Sequence, residues 1–527
     1  MSAIRPRLGV DVGGTNTDAV VMVGDEVVAS AKRLTTPSVG DGVISAVEAV
    51  LSAAKVHAAE LGSVMIGTTQ FINAFVQRRD LSRVAALRVS LPKADGIPAM
   101  VGWPKDLLDV VGNHYYIVGG GSFYDGKDYA PLDVAGIEAA AQDIGSKGIR
   151  SIALTSNFAP VRPDIEQEAA KVVLKVLPDA DITLSSEVGG LGLIDRENAA
   201  LINASLRGLS RAVVTSLRDA FTRIGVRAPI YLSQNDGTLI STEYATRFPI
   251  LTCSAGPTNS LRGAAFLTGM QDAIVIDIGG TTSDFGFLVR GFPRETATPH
   301  LIGGVRTNFR MPDVLSIALG GGTRVRFDDE EKLSGSVLQL GPDSVGFRLG
   351  EKALVFGGNE LTTTDIAVRA GQVDIGDTKR AAHISEQTVA STLDAIHQRL
   401  EDAIDQMKTN SKPVPVILVG GGHVLVSRPL RGVLEVLRPK HAEVANAVGA
   451  AIALVSGRVD KIYDFGGLGR DVALAQAKDE ARNAAIAAGA EPDSIDIVDI
   501  VELPMMHMKS GAVHVKMRAV GKLAAGV

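Results

Sequence analysis

The sequence predicts an α/β protein made of two copies of one domain type facing each other across a cleft. Three observations carry this prediction. An apolar strand runs into an acid and a glycine pair at "VDVGGTNTD" (10–18), and the same text returns about half the chain later as "IDIGGTTSD" (276–284). A third glycine run follows a strand at "ILVGGG" (417–422). Between these landmarks strands alternate with helical patterns, as in a mostly parallel sheet flanked by helices.

Taken in order, Leu8, Val10 and Val12 alternate as a strand, and two more strands follow across a Gly24-Asp25 hairpin turn. Helical spacing over about 40–61 and 70–80 brackets a strand at 63–67. "GIEAAAQDIGSKGIRSIALTS" (136–156) reads helix, turn, strand, and 164–188 repeats that alternation. Residues 194–226 form a long helix with acids early and Gly225 late, as the macrodipole and C-cap preferences favour. The loop-rich, strand-like text over about 290–385 is an insertion in the second copy. The expected division is 1–200, 201–459 with that insertion, and a small α+β unit at 460–527.

Composition excludes several classes. A net charge of −6 without a basic stripe counts against nucleic acid. No run of 18 apolar residues marks a membrane span. One cysteine, Cys253, and a strand beginning by Leu8, which leaves no room for a signal peptide, point to a cytoplasmic setting. The nine histidines show no metal-ligand spacing.

Glycines directly after a strand let backbone amides converge on anionic oxygens with no Cβ in the way. Gly13, Gly14, Thr15 and Asn16 in the first copy, and Gly279, Gly280, Thr281 and Thr282 in the second, are therefore candidate phosphate ligands. Asp11 and Asp277 are candidate Mg²⁺ ligands, since magnesium takes few carboxylates and keeps several waters. A P-loop would need Gly-Lys-Ser/Thr, and neither glycine pair precedes a lysine. A dinucleotide fingerprint would need a helix where Thr17–Val23 alternates as a strand. A single copy would read equally well as an ordinary glycine hairpin; two copies and a third glycine run favour a nucleotide.

These motifs resemble the actin, sugar-kinase and heat-shock-chaperone ATPase superfamily: two phosphate loops and, at Gly420, Gly421 and Gly422, an adenosine loop. The implied fold is two duplicated actin-like (ribonuclease H-like) ATPase domains around a nucleotide cleft, with helices beginning near Ile194 and Glu443 connecting them. Within the superfamily, "IGTTQFINAFVQRR" (66–79), "LSSEVGGLGLIDRENAALINASL" (184–206), "CSAGPTNSLRGAAF" (253–266) and the 340–371 stretch resemble the A-type members of the hydantoinase/oxoprolinase family. The resemblance implies ATP, Mg²⁺, a cyclic amide substrate and a B-type or other partner protein in a homo- or hetero-oligomer. It implies ATP-driven opening of the ring by phosphorylation of the amide oxygen, with Asp11 on the metal and Asp277 on the metal or the nucleophile. A small-molecule kinase or a component of an ATP-dependent carboxylase would use the same loops, as would a chaperone-like or filament-forming ATPase. The text departs from the family at "VGGGHVLVSRPL" and "RLGEKALVFGG", which leaves the particular substrate open.

Other candidates carry two readings each. Thr68, Thr69 and Asn73 follow a strand end, where they contact substrate or phosphate, or cap a helix. Glu187 is a base, a support for the metal's ligands, or a turn cap. His423 edges the adenine pocket or sits at the surface. Cys253 reads as a small packed residue, and the 119–129 loop as a substrate lid or a plain surface loop.

Overall fold

A computed structural model describes residues 5–14, 16–34, 39–94, 96–296, 300–309, 311–327, 338–505 and 511–524. Strands β1 (Arg7–Val12), β2 (Asn16–Val23) and β3 (Glu26–Leu34) form an antiparallel meander, and β4 (Ser63–Thr68) runs parallel to β1. Next come β5 (Val84–Leu91), β6 (His114–Gly119), β7 (Ser151–Ser156) and β8 (Asp181–Leu184), a separate parallel sheet in the order β6-β5-β7-β8. Helices Val134–Ser146 and Pro163–Val176 cover one of its faces, and the 31-residue helix Leu193–Arg223 covers the other. Strand β9 (Ile230–Ser233) then pairs in parallel with β4, and β10 (Thr238–Ser241) folds back on β9.

The second copy opens with β11 (Ala273–Ile278), β12 (Ser283–Val289) and the short β13 (Phe292–Pro293). The insertion holds a hairpin, β14 (His300–Ile302) with β15 (Val305–Thr307); β16 (Val314–Ile317), paired to β12; and a second hairpin, β17 (Thr323–Phe327) with β18 (Leu338–Ser344). Strands β19 (Val414–Val419) and β20 (Val433–Leu437) complete the sheet in parallel with β11. The orders β3-β2-β1-β4-β9 and β13-β12-β11-β19-β20 are the same, three antiparallel strands followed by parallel ones. This is the expected actin-like duplication. Central strands such as β1 and β11 are buried along nearly their whole length, as expected where helices cover both faces of a sheet.

The chain from 454 onward is not a free-standing unit. Strand β21 (Leu454–Asp464) pairs with β10, and β23 (Ala512–Gly521) and β22 (Asp496–Pro504) extend from it, giving one nine-stranded sheet that ends at β3. The first lobe's sheet therefore draws on residues beyond both boundaries expected at 200 and 459. Open strand edges recruit whatever strand lies near in space, and that is a tertiary matter.

Of the two helices expected to join the lobes, the one near Glu443 does so and the one near Ile194 does not. Leu193–Arg223 packs within the first lobe, against β7 and the helix Val39–Ala54. The connecting pair is Ala255–Thr268, packed on the second sheet through Leu261 and Ala264, and Ala445–Ala451, packed on the first through Ala447 and Val448. Each helix thus follows the strands of one lobe and packs on the sheet of the other. The two backbones touch at glycines: a Cβ on Gly263 would lie 1.8 Å from the Ala445 carbonyl oxygen, and one on Gly449 1.9 Å from that of Asn259. Only glycine permits this approach.

Gly449→Ala should therefore cost ~1–3 kcal/mol or more in urea unfolding, whereas Gly14→Ala, with nothing within 4 Å of its Cβ position, should cost far less. Equal stabilities would contradict this helix contact.

Candidate functional site

The carboxyl ends of β1, β4, β11 and β19 open on one cleft of about 900 Å³ between the lobes, where ligands of open α/β sheets bind. Both hairpin turns line it, and they are built alike: Gly13 N–H donates to the Asn16 carbonyl at 3.0 Å, and Gly279 N–H to that of Thr282 at 2.9 Å. Each turn closes a ladder in which two aspartates face each other, Asp11 opposite Asp18 and Asp277 opposite Asp284. All four border the cavity. The second acid of each pair stands in the repeated text, seven positions after the first, and that symmetry was the signal for it.

These four carboxylates, with Glu443 also on the wall, meet a single lysine among the described lining residues. Lys32 Nζ donates to Asp18 Oδ2 at 2.7 Å, and Asn446 Nδ2 bridges Asp11 Oδ2 (2.9 Å) and Asp18 Oδ2 (3.0 Å). The second pair has hydroxyls instead: Ser260 donates to Asp277, and Ser316 to Asp284. Burial raises Asp11 to about 7, helped by the charges of Asp18 and Asp277 and opposed by Lys32 and Asn446. Burial likewise raises Asp18 and Asp277, and takes Asp284 to about 6 against the Ser316 hydrogen bond. Asp11 Oδ1 is buried with no hydrogen-bond partner, beside Gly67, where any Cβ would lie 2.4 Å from it. The site holds more negative charge than its own cations balance, and one oxygen is left to accept something from outside.

The third glycine run completes the cradle. Gly420 takes φ +79°, and a Cβ there would lie 2.2 Å from Asp277 Oδ1; Gly422 N–H donates to the Ile278 carbonyl at 2.7 Å. A fourth glycine run, Gly320–Gly322, braces the second turn from behind: Gly321 and Gly322 amides donate to the Gly279 and Gly280 carbonyls at 2.9 and 2.7 Å. Thr364 Oγ1 in turn donates to the Gly321 carbonyl at 2.7 Å. Beyond Gly421 the wall turns apolar with Ala367, Val373, Ile375 and Val424, a surface suited to a flat ring.

The cleft thus gathers Asp11, Gly13, Gly14, Asn16, Asp277, Gly279, Gly280, Thr281, Thr282, Gly420, Gly421, Gly422, Thr69 and Asn73. Thr15 lies outside the described residues. Thr68 does not line it: its hydroxyl accepts from Gln70 N–H at 3.2 Å, one residue ahead of the Thr69 N-cap of the helix Gln70–Val76. Glu187 is also elsewhere, ion-paired with Arg247 at 2.6 Å, because the short helix Ser185–Val188 that carries it follows β8, which belongs to the separate four-stranded sheet. His423 does not line the cleft; it is half-buried, with its Nδ1 2.8 Å from the Gly420 carbonyl oxygen. Cys253 does border the cleft, but burial pushes its thiol up to about 12, so it packs as a neutral group. Asp18, Lys32, Asp284 and Asn446 are the site residues the sequence reading missed. Among the described residues, no three His, Cys, Asp or Glu side chains converge as a ready metal cage.

The family model described as hydantoinase/oxoprolinase N-terminal region matches residues 7–177, and the hydantoinase/oxoprolinase model matches 196–407. The alpha subunit of caprolactamase from Pseudomonas jessenii is 24% identical over 394 residues, 71% of this chain and 56% of that protein. The gamma subunit of acetophenone carboxylase from Aromatoleum aromaticum is 24% identical over 406 residues, 70% of this chain and 53% of that one. The chain spans about half the length of these curated relatives. Among solved structures, the ATP-dependent caprolactamase of Pseudomonas jessenii superposes with a TM-score of 0.74 at 19% identity, covering 98% of this chain and 88% of that one. Nucleotide-free acetone carboxylase gives 0.72 at 17%, covering 99% and 89%. At these identities the two structures speak to fold.

The raised carboxyl group of Asp11 sets a sign for pH. Its contribution to stability is whole below the unfolded pKa near 4 and fades as pH rises through about 7. Without nucleotide or divalent cation, Asp11→Asn should gain ~1–3 kcal/mol over the parent on going from pH 5 to pH 8, read by urea unfolding. A gain that shrinks with pH would contradict the buried, uncompensated carboxylate.

Proposed function

Because the chain belongs to the hydantoinase/oxoprolinase family, we propose that it is the nucleotide-using, A-type part of an ATP-dependent enzyme that opens a cyclic amide by phosphorylating the amide oxygen. The observation that carries this reading is the pair of matching hairpins presenting Asp11 and Asp277 to one cleft. In it the amides and side chains of the two turns hold the phosphates, and the wall beyond Gly420–Gly422 takes the adenosine. Asp11 and Asp277 are the residues that would hold Mg²⁺, a cation that asks for one or two carboxylates and would suit the unpartnered Asp11 oxygen. When bound, Mg²⁺ offsets charge on the transferring phosphoryl group.

An amide carbonyl is a poor electrophile, and phosphorylation makes its oxygen a leaving group. The amide oxygen bonds to the γ-phosphorus as ADP departs. Water then adds to the carbon, the ring C–N bond breaks with the proton going to nitrogen, and a second water attacks the carbonyl carbon of the acyl phosphate left behind, so that its C–O bond breaks and phosphate departs with the former amide oxygen. The chain's contribution is to align the γ-phosphoryl with the ring and to exclude competing water. The later steps can fall to a partner protein, as the multi-component names of the curated relatives suggest.

The likeness to two carboxylases favours a second reading, in which a bicarbonate oxygen takes the phosphoryl group in place of the amide oxygen. A panel of hydantoins, lactams and 5-oxoproline, with and without bicarbonate and a ketone, separates the two by which addition drives ADP release. In the amidase reading, with the acyl phosphate opened at carbon, ¹⁸O in the amide carbonyl should appear in inorganic phosphate; label recovered only in the carboxylate would exclude that C–O cleavage. Asp11→Ala and Asp277→Ala should each lower substrate-driven ATP turnover by about 10²–10³-fold with an unchanged circular dichroism spectrum. An active Asp11→Ala protein would refute the metal assignment.

A further inference from the structure

We propose that the end of the cleft opposite the third glycine run is the ring's subsite, and that it selects a neutral ring with an apolar edge over one bearing a carboxylate. This inference rests on the amidase reading and narrows its substrate class.

The acids divide the cleft. On one side lie Gly420–Gly422 with the apolar wall assigned to the base. On the other, Thr69 and Asn73 follow directly from β4, whose Gly67 abuts Asp11, and Thr69 packs on Gly256 at the start of the helix that carries Ser260 to Asp277. This side is therefore within reach of the reacting phosphoryl group. Its surface is set by Ile72, Leu301 and Met311, with Asn73 as the polar group; Asn73 Nδ2 is 3.2 Å from Thr69 Oγ1 and keeps its carbonyl for another donor, such as a ring N–H.

Leu301 is placed by an unusual anchor. The β14–β15 hairpin belongs to the second lobe's insertion, yet Ile302, Val305 and Phe309 are buried in the first lobe's core. Its turn is gripped as well: Arg78 Nη2 donates to the Gly303 carbonyl at 2.8 Å, and Asn198 Nδ2 to that of Arg306 at 2.9 Å. The strand alternation that buries Ile302 turns Leu301 outward, 71% exposed, on the border of the cleft. A rigidly held, water-exposed leucine at a cleft wall gains by covering an apolar ligand edge. The ionisable neighbours add little pull for a carboxylate. His300 is lowered by burial, with Nε2 3.2 Å from the Phe309 carbonyl oxygen, and Asp18 already holds Lys32.

The test uses the full chain, with any co-purifying partner, against δ-valerolactam, ε-caprolactam, a 5-alkylhydantoin and 5-oxoproline. Ring-stimulated ADP release and calorimetric ring binding in the presence of a non-hydrolysable ATP analogue are both measured. Neutral rings should bind and turn over at least about tenfold better than 5-oxoproline. Leu301→Lys should raise KM for the neutral rings roughly tenfold and bring 5-oxoproline closer to them, while Leu434→Lys, on an exposed strand away from the cleft, should do neither. A preference for 5-oxoproline, indifference to Leu301→Lys, or no ring binding at all would overturn the subsite. Leu301-sensitive ring binding without any ring-stimulated ATP turnover would sink the amidase chemistry and leave the subsite standing.

Discussion

Four carboxylates at the tips of two facing hairpins, Asp11 and Asp18 buried and Asp277 and Asp284 half-buried, with one lysine beside them, are the constraint around which this cleft is organised. A buried charge is tolerated when something pairs with it, and otherwise it takes up a proton or waits for a cation. Asp18 has Lys32 and Asn446, Asp277 has Ser260, and Asp284 has Ser316. Asp11 is left with one satisfied oxygen and one bare one. The duplicated frame is therefore chemically lopsided. The first hairpin meets the lysine of β3 and keeps the unsatisfied oxygen; the second accepts hydrogen bonds from hydroxyls and is braced from behind by Gly320–Gly322.

Such a site depends on holding two sheets at a set separation, and the helix pair between them does this with very little material. Ala255–Thr268 and Ala445–Ala451 cross at Gly263 and Gly449 with backbone against backbone. The same helices carry Ser260 to Asp277 and Asn446 to Asp11 and Asp18. Packing and electrostatics are thus not separate layers here. A change in the helix crossing moves the hydrogen-bond donors that keep the acids in place.

The β14–β15 hairpin adds a second tie between the lobes. It leaves the second lobe, buries three apolar residues in the first, and returns to β16, whose Ser316 holds Asp284. The wall of the cleft next to the acids is consequently built from both lobes at once, so ring, phosphates and acids share one framework.

The duplication, both Asp-Gly-Gly turns, the third glycine run and the strand–helix alternation are all legible along the chain, because each is written in local residue order: an apolar run, a tip acid, glycines that permit close approach. Asp18 and Asp284 were legible too, standing at matching places in the two copies. The rest was settled by packing. Lys32 and Asn446 are separated by most of the chain and meet only because β3 and the Ala445–Ala451 helix converge on Asp18. Glu187 left the site because β8 joined a different sheet, and β21–β23 joined the first lobe because β10 offered an open edge. Spacing along a chain encodes periodicity and turn chemistry; which strand edge is satisfied by which partner depends on how the whole molecule packs.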